Sequence, residues 1–152
     1  MRDETAFETT AFLGAARRAK RDPYRLSLFG RHLEPDENPL AILSVHGGML
    51  LVTDRRILEL HAHLEIHGAW NVKQFLGYAV AREIRRAEVR GVDHLVGPPQ
   101  EDRRHATQIE DRLVLRIRDG AEEILIARGP QAVLTEDDIR ELRAAILGAQ
   151  AK

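Results

Sequence analysis

The chain has 152 residues, enough for one domain with a substantial core. Its 23 basic and 24 acidic residues nearly cancel, so no overall field draws it toward nucleic acid. The absence of cysteine excludes disulfides, thiolate metal sites and a cysteine nucleophile. The first residues lack the pattern of a secretory leader, and no run approaches the ~20 apolar residues of a membrane span. These features predict a soluble, cytoplasmic protein.

The first segment is predicted to be a helix from about Glu4 to Arg21. Thr5 and Glu8 have the spacing of a capping box, and the basic residues cluster at the far end, where the helix dipole favours them. The pair Asp22-Pro23 is expected to end this helix, because the residue before a proline disfavours the α region.

From residue 40 onward the apolar pattern changes to period two, which is typical of strands. Glycine-containing turns, including Asp119-Gly120, separate the runs and predict hairpins. The segment 97–108 contains two prolines and is predicted to be a polar loop. The predicted strands are residues 40–45, 49–53, 57–67, 70–81, 84–92, 113–118 and 123–128.

The last element is predicted to be a helix laid on the sheet. Thr135 is its expected N-cap with Asp138 at the third helical position, and Leu134 and Ile139 have the spacing of a hydrophobic staple. Gly148 is a natural stop. The whole pattern predicts a mainly β, α+β fold.

A short run in the middle resembles a known family. The stretch "MLLVTDRRIL", residues 49–58, is similar to the signature of bacterial pleckstrin-homology-like domains, in which an apolar strand ends in Thr, an acidic residue and Arg follow, and a second Arg precedes the next strand. The upstream "HLEPDENPLAIL" and the downstream "RLVLRIRDGAEEILIAR" with the last helix match the same family, so that the likeness covers about residues 33–147.

The resemblance implies a seven-stranded, partly open barrel or two-sheet sandwich with a C-terminal capping helix, to which this chain would add an N-terminal helix. We therefore divide the chain into residues 1–30, an N-terminal helix with its connector, and residues 31–150, the pleckstrin-homology-like domain. The resemblance also implies a non-catalytic module that binds lipids, peptides or subunits, and several bacterial relatives form symmetric rings through strand edges.

The stretch "LELHAHLEIH", residues 58–67, alternates apolar residues with Glu or His. Residues two apart in a strand point to the same side, about 6.5–7 Å from each other. His61 and His63 are therefore candidate metal ligands that would need a third ligand from elsewhere. The alternative is a hydrated strand face or a polar interface. In that case the row also supplies candidate binding residues, namely Glu59, Glu65 and His67.

Three further residues are candidates for binding. Arg55 and Arg56 could hold a phosphate through paired donors, or could support the turn through ion pairs. Eukaryotic phosphoinositide-binding relatives place bases in the first hairpin loop, whereas here that loop is His46-Gly47-Gly48 and has none. Trp70 is either a partner anchor or a core aromatic.

The expected function is a non-catalytic binding or self-assembly module that forms a homo-oligomer or binds a protein partner. One alternative is a peripheral module on an anionic membrane surface, and another is a metal-dependent enzyme that uses His61 and His63. No nucleophile motif or Gly-rich phosphate loop is present, so the chain is not expected to be an enzyme. No cofactor and no nucleic-acid partner are expected.

Overall fold

A computed structural model describes residues 2–67, 72–97, 100–102, 105–129 and 132–148. The described chain is mainly β, with two sheets and two α-helices, and is therefore an α+β fold. The strands are β1 (Ala11–Leu13), β2 (Pro39–Val45), β3 (Gly48–Thr53), β4 (Arg56–His67), β5 (Val72–Arg85), β6 (Val89–Val96), β7 (Gln100–Asp102), β8 (His105–Ile117) and β9 (Gly120–Gly129). The helices are α1 (Pro23–Gly30) and α2 (Glu136–Leu147), and 3-10 helices cover Glu4–Phe7, Gly14–Arg21 and Arg86–Glu88.

The first sheet has the strand order β1-β2-β3-β4-β5, in which β1 runs parallel to β2 and the rest are antiparallel neighbours. In the second sheet β8 lies between β6 and β9, and β7 pairs with the first part of β8. The backbone N–H of His46 donates to the carbonyl of Leu125 at 2.9 Å, which ties the β2–β3 turn to β9. The described strands remain two sheets and do not join into a closed ring.

Apolar side chains cover both faces of the first sheet. One cluster lies between the two sheets and under α2, and includes Leu43, Leu50, Val52, Ile57, Leu113, Leu115, Ile124 and Leu142. A second cluster lies between the other face of the first sheet and the N-terminal segment, by which we mean residues 2–38. It includes Phe7, Phe12, Phe29, Met49, Leu51, Leu58 and Leu60. A strand that is buried on both faces carries a continuous apolar run, as β3 does from Met49 to Val52.

The predicted helix from Glu4 to Arg21 is wrong. That stretch contains two 3-10 helices with β1 between them, and β1 pairs with β2. Phe12 joins the second cluster while its neighbour Leu13 joins the first. Consecutive side chains reach opposite faces in a strand, whereas a helix would place them on one side.

Asp22-Pro23 lies between two helices, because the 3-10 helix Gly14–Arg21 ends before it and α1 begins at Pro23. The carboxylate of Asp22 accepts a hydrogen bond from the backbone N–H of Arg25 at 3.2 Å, and Pro23 is the first residue of α1. Proline suits that position because its missing N–H has no partner within the helix anyway. The α-helix of the N-terminal segment is therefore α1.

The middle of the chain also differs from the prediction. β5 runs to Arg85 and a 3-10 turn precedes β6, where a strand over residues 84–92 is predicted. The expected loop 97–108 contains β7 and the start of β8, which pair with each other. The sequence does not predict these strands, because residues 97–108 are mostly polar and show no alternation of apolar residues.

The predicted hairpin and helix of the C-terminal part are confirmed. β8 and β9 form a hairpin around Asp119-Gly120, and Thr135 and Asp138 form a capping box at the start of α2. Ile139, Leu142 and Ile146 are buried. Among the described residues, neither helix has the length and apolar character of a membrane span.

Candidate functional site

Thr53 builds the turn between β3 and β4. Its hydroxyl accepts hydrogen bonds from the backbone N–H groups of Arg55 and Arg56, at 3.1 and 3.0 Å, and donates one to Glu37 at 2.6 Å. A side-chain oxygen that binds two following amides holds the chain in a tight bend. The Thr-Asp-Arg-Arg run is thus a turn with a buried acidic partner upstream.

Each of the three guanidinium nitrogens of Arg56 makes a hydrogen bond within the chain. Its Nε and Nη2 each lie 2.9 Å from a carboxylate oxygen of Glu37, which has no exposed surface. Nη1 donates to Glu83 at 2.6 Å, and Nη2 also donates to the carbonyl of His32 at 2.7 Å. Burial acts to raise the pKa of Glu37, but hydrogen bonds from Arg56 and Thr53 outweigh it and hold that pKa low. Arg56 therefore acts as a structural ion-pair partner.

Arg55 turns the other way, toward solvent. Its guanidinium lies 2.5 Å from Glu34 and 2.6 Å from Asp36, both of which are exposed. These two carboxylates neutralise the positive charge of Arg55, with which a phosphate would have to interact. The pair Arg55 and Arg56 thus connects the turn to the acidic segment that precedes β2.

Glu59, the first residue of the Glu/His row of β4, lies on the face toward the second sheet. Glu59 pairs across the sheet with Leu50, which belongs to the cluster between the sheets, and only 8% of its surface is exposed. The prediction of a hydrated strand face is therefore wrong at Glu59. Phe29 and other residues of the N-terminal segment cover the apolar row, which includes Leu58 and Leu60.

Glu59 lies between His61 and Arg82. One carboxylate oxygen lies 2.5 Å from Nε2 of His61, and the other, buried and without a hydrogen bond, lies 3.3 Å from Nε of Arg82. Arg82 also lies 3.2 Å from Glu122 and donates to the carbonyl of Glu123 at 2.8 Å. This cluster links β4 and β5 to the start of β9.

The cluster does not form a metal site in the described part of the chain. No three His, Asp or Glu residues among the described positions converge as ligands. His61 is engaged with Glu59, and His63 is exposed. The structure describes the backbone alone at Glu65 and His67, and Trp70 lies outside the described residues.

β4 and β5 continue together beyond the rest of the sheet. The pairing of β3 with β4 ends at Gly48 and His61, but β4 and β5 remain paired as far as His67 and Val72. We call residues 62–67 and 72–78 the hairpin arm. A two-stranded ribbon of this kind has little stability of its own.

The hairpin arm carries apolar side chains that face solvent. Leu64 and Phe75 are register partners and are 51% and 37% exposed, and Leu76 is 43% exposed. Tyr78 anchors the base of the arm, since its ring lies 4.7 Å from that of Phe29 in α1 and 5.4 Å from that of Phe75. The arm is thus attached to the core at one end and offers an apolar surface at the other.

No described strand pairs with the outer edge of β5, although Nε2 of His32 lies 3.0 Å from the carbonyl oxygen of Tyr78. β5 is the last strand in the order of the first sheet, and it is fourteen residues long. Val80, closer to the sheet than the arm, is 48% exposed. A long strand edge with exposed apolar side chains is a ready template for pairing with another strand.

Three arginines surround a depression of about 450 Å³ next to the 3-10 turn before β6. They are Arg85, Arg90 and Arg118. Glu88 and Asp119 also line the depression, so its formal charge is +1.

Comparison of the chain with family models, curated proteins and solved structures finds no match. The residues that organise the site are therefore identified by their contacts. Glu37 has no sequence pattern of its own, and its only signal is the acidic turn ahead of the Thr-Asp-Arg-Arg run. No pattern in the sequence points to Asp111, although its buried carboxylate accepts hydrogen bonds from the N–H groups of Val133 and Leu134.

Proposed function

We propose that the chain is a pleckstrin-homology-like self-assembly module in which the hairpin arm and the β5 edge form the contact between copies. The strand order supports the family likeness. β2 to β5 form a four-stranded antiparallel sheet, β6, β8 and β9 form a three-stranded meander, and α2 follows. β1 and β7 are additions to the seven strands that the resemblance implies.

The hairpin arm carries the proposal. It extends past the sheet, exposes apolar side chains on a ribbon and has one backbone edge with which no described strand pairs. Both features cost stability in an isolated monomer and are relieved when a strand pairs with the edge. Phe75 and Val80, both in β5, would gain cross-strand neighbours in such a pair, and Leu64 lies beside Phe75 on β4.

A second copy fits this edge better than an unrelated chain. Two-fold symmetry sets the two β5 strands antiparallel, so the same edge serves both partners and the two first sheets join into one. The near-zero net charge opposes such a pairing only weakly. Strand pairing supplies main-chain hydrogen bonds over a length set by β5, and the apolar side chains add burial.

Native mass spectrometry and light scattering on untagged protein test the proposal. We expect a dimer or a larger symmetric oligomer, and we expect the double variant Leu64→Lys/Phe75→Lys to be monomeric. Leu95→Lys is the matched control, because Leu95 is equally exposed, at 49%, but lies in β6. A wild-type chain that stays monomeric at tens of micromolar would refute self-assembly.

A second candidate function is peripheral binding to anionic membranes. One observation favours it: Arg85, Arg90 and Arg118 face a common depression and make no ion pair within the described part of the chain. Vesicles that contain phosphatidylserine, sedimented at low salt, test it. Arg85→Glu/Arg118→Glu should abolish co-sedimentation, while Arg31→Glu, an exposed change outside the depression, should reduce it only slightly. Equal binding of the double variant would exclude this function.

A further inference from the structure

His32 contacts the strand edge along which we propose that two copies pair. Its Nε2 lies 3.0 Å from the carbonyl oxygen of Tyr78 in β5. Because a carbonyl oxygen only accepts hydrogen bonds, Nε2 is the ring nitrogen that carries and donates a proton. His32 lies in the turn after α1 and is half-buried. A side chain of the N-terminal segment thus occupies a hydrogen-bonding group of β5.

The backbone groups of Tyr78 point away from the sheet. Tyr78 pairs with Ala62 of β4, and the N–H of Ala62 donates to the carbonyl of Gly47 in the β2–β3 turn at 3.3 Å. Ala62 therefore turns its backbone groups away from β5. In an antiparallel pair, two opposite residues turn these groups either toward each other or both away. The carbonyl that His32 binds consequently belongs to the outer edge of β5, which a further strand would need.

Tyr78 lies between the two exposed parts of this edge. Phe75 precedes it in the hairpin arm and Val80 follows it closer to the sheet, and both side chains face solvent. The β4–β5 register shifts on either side of Tyr78, and Gly77 next to it has a φ of 95°. Bulges of this kind are common at sheet edges, where they limit pairing. A strand that pairs with both Phe75 and Val80 must pass Tyr78 and displace the imidazole of His32.

Backbone contacts hold His32 beside the edge. Its N–H donates to the carbonyl of Phe29 at 3.1 Å, and its own carbonyl accepts a hydrogen bond from Nη2 of Arg56 at 2.7 Å. The ring of Phe29 in turn packs against that of Tyr78, with centroids 4.7 Å apart. Since neither hydrogen bond uses the imidazole, that ring can be removed without loss of the contacts that position the turn.

We propose that the imidazole of His32 is an autoinhibitory cap that weakens the pairing of two copies through β5. This role rests on the self-assembly proposed above and adds its regulation. While the cap is closed, the carbonyl of Tyr78 is occupied, and pairing cannot run from Phe75 to Val80. Pairing along the whole edge selects molecules in which the imidazole has left, and a two-fold contact needs two such openings. The N-terminal segment thereby sets the strength of the contact between copies.

Sedimentation velocity of untagged protein over a concentration series measures the effect of the cap. His32→Ala should lower the dissociation constant about 5- to 100-fold, because two hydrogen bonds no longer have to be broken when two copies pair. His32→Gln retains an N–H donor and should behave like the wild type. His46→Ala is the matched control, since His46 is an exposed histidine in the β2–β3 turn, and it should leave the constant unchanged.

His32→Asn, whose amide group ends closer to the backbone, is a second variant should His32→Ala unfold, and it should also tighten the contact. An assembling wild type whose dissociation constant is unchanged or raised in these variants would overturn the cap and leave self-assembly intact. Equal tightening by His46→Ala would overturn the cap as well. If the wild type and every variant stay monomeric at tens of micromolar, self-assembly is refuted and the cap with it.

Discussion

Arg56 holds both carboxylate oxygens of Glu37, with two N–O distances of 2.9 Å, and Glu37 has no contact with solvent. The two residues belong to different segments, one ahead of β2 and one at the start of β4. Their ion pair therefore fixes the entry to β2 against the β3–β4 turn. Thr53 completes the arrangement with its hydroxyl on the same carboxylate.

Replacing Arg56 should destabilise the fold strongly. In Arg56→Met the carboxylate of Glu37 stays buried without its charged partner, and breaking such a pair costs about 3–5 kcal/mol. Urea unfolding followed by circular dichroism measures the change. Arg55→Gln is the matched control, because the exposed pairs of Arg55 are worth less than about 1 kcal/mol. Equal losses for the two variants would contradict the assigned roles.

The same pair predicts acid sensitivity. Burial acts to raise the pKa of Glu37, but the hydrogen bonds from Arg56, Thr53 and the N–H of Glu34 prevail and lower it from 4.5 to about 2. Because the folded pKa lies below the unfolded one, the stabilisation is complete above pH 4.5 and is lost as pH falls toward 2. It amounts to about 3 kcal/mol.

Glu37→Gln isolates that contribution. The variant should be less stable than the wild type at neutral pH, and the difference should shrink as the pH falls from 4.5 toward 2. Unfolding free energies measured across that range provide the comparison. Glu8→Gln, a change at an exposed carboxyl that makes no ion pair in the described part of the chain, should follow the wild-type curve closely. A constant difference between wild type and Glu37→Gln would show that Glu37 does not titrate with folding.

Gly48 should tolerate no side chain. A Cβ placed there would lie 1.8 Å from the carbonyl oxygen of Leu60 in the neighbouring strand, so the backbone would have to move. We expect Gly48→Ala to lower stability by at least ~2 kcal/mol, the range of severe steric changes. Gly129→Ala is the control, since no atom lies within 4 Å of that Cβ. Thermal unfolding of both variants measures the loss of stability. A Gly48→Ala variant as stable as the wild type would contradict the pairing of β3 with β4.

Glu59 and Arg82 should be energetically coupled. They are cross-strand partners, and the guanidinium of Arg82 lies 3.3 Å from the nearly buried carboxylate, whose other oxygen is hydrogen-bonded with His61. Arg82→Met should therefore cost more in the wild type than in a Glu59→Leu background, by about 0.5–3 kcal/mol. A double-mutant cycle in urea measures this difference. Simple additivity would indicate that the row is hydrated, as the sequence pattern predicts.

Local signals in the sequence determined several elements correctly. The Asp119-Gly120 hairpin, the capping box of Thr135 and Asp138 and the long strand after Arg56 follow from turn chemistry, side-chain capping and alternation, which act over a few residues. The same kind of local signal led to a wrong prediction for residues 4–21. Capping and charge pattern there favour a helix, but β1 pairs with β2, and that partner lies far away in the sequence.

Alternation along β4 predicted the two rows of side chains but not their surroundings. Period two separates Leu58 and Leu60 from Glu59 and His61, and that separation holds. Which row meets solvent depends on what covers each face, and here the N-terminal segment covers one face and the second sheet the other. The partner of Arg56, the burial of Glu59 and the contact of His32 with Tyr78 likewise arise from residues far apart in the chain. Only tertiary structure decides them, because burial and pairing are properties of the assembled layers.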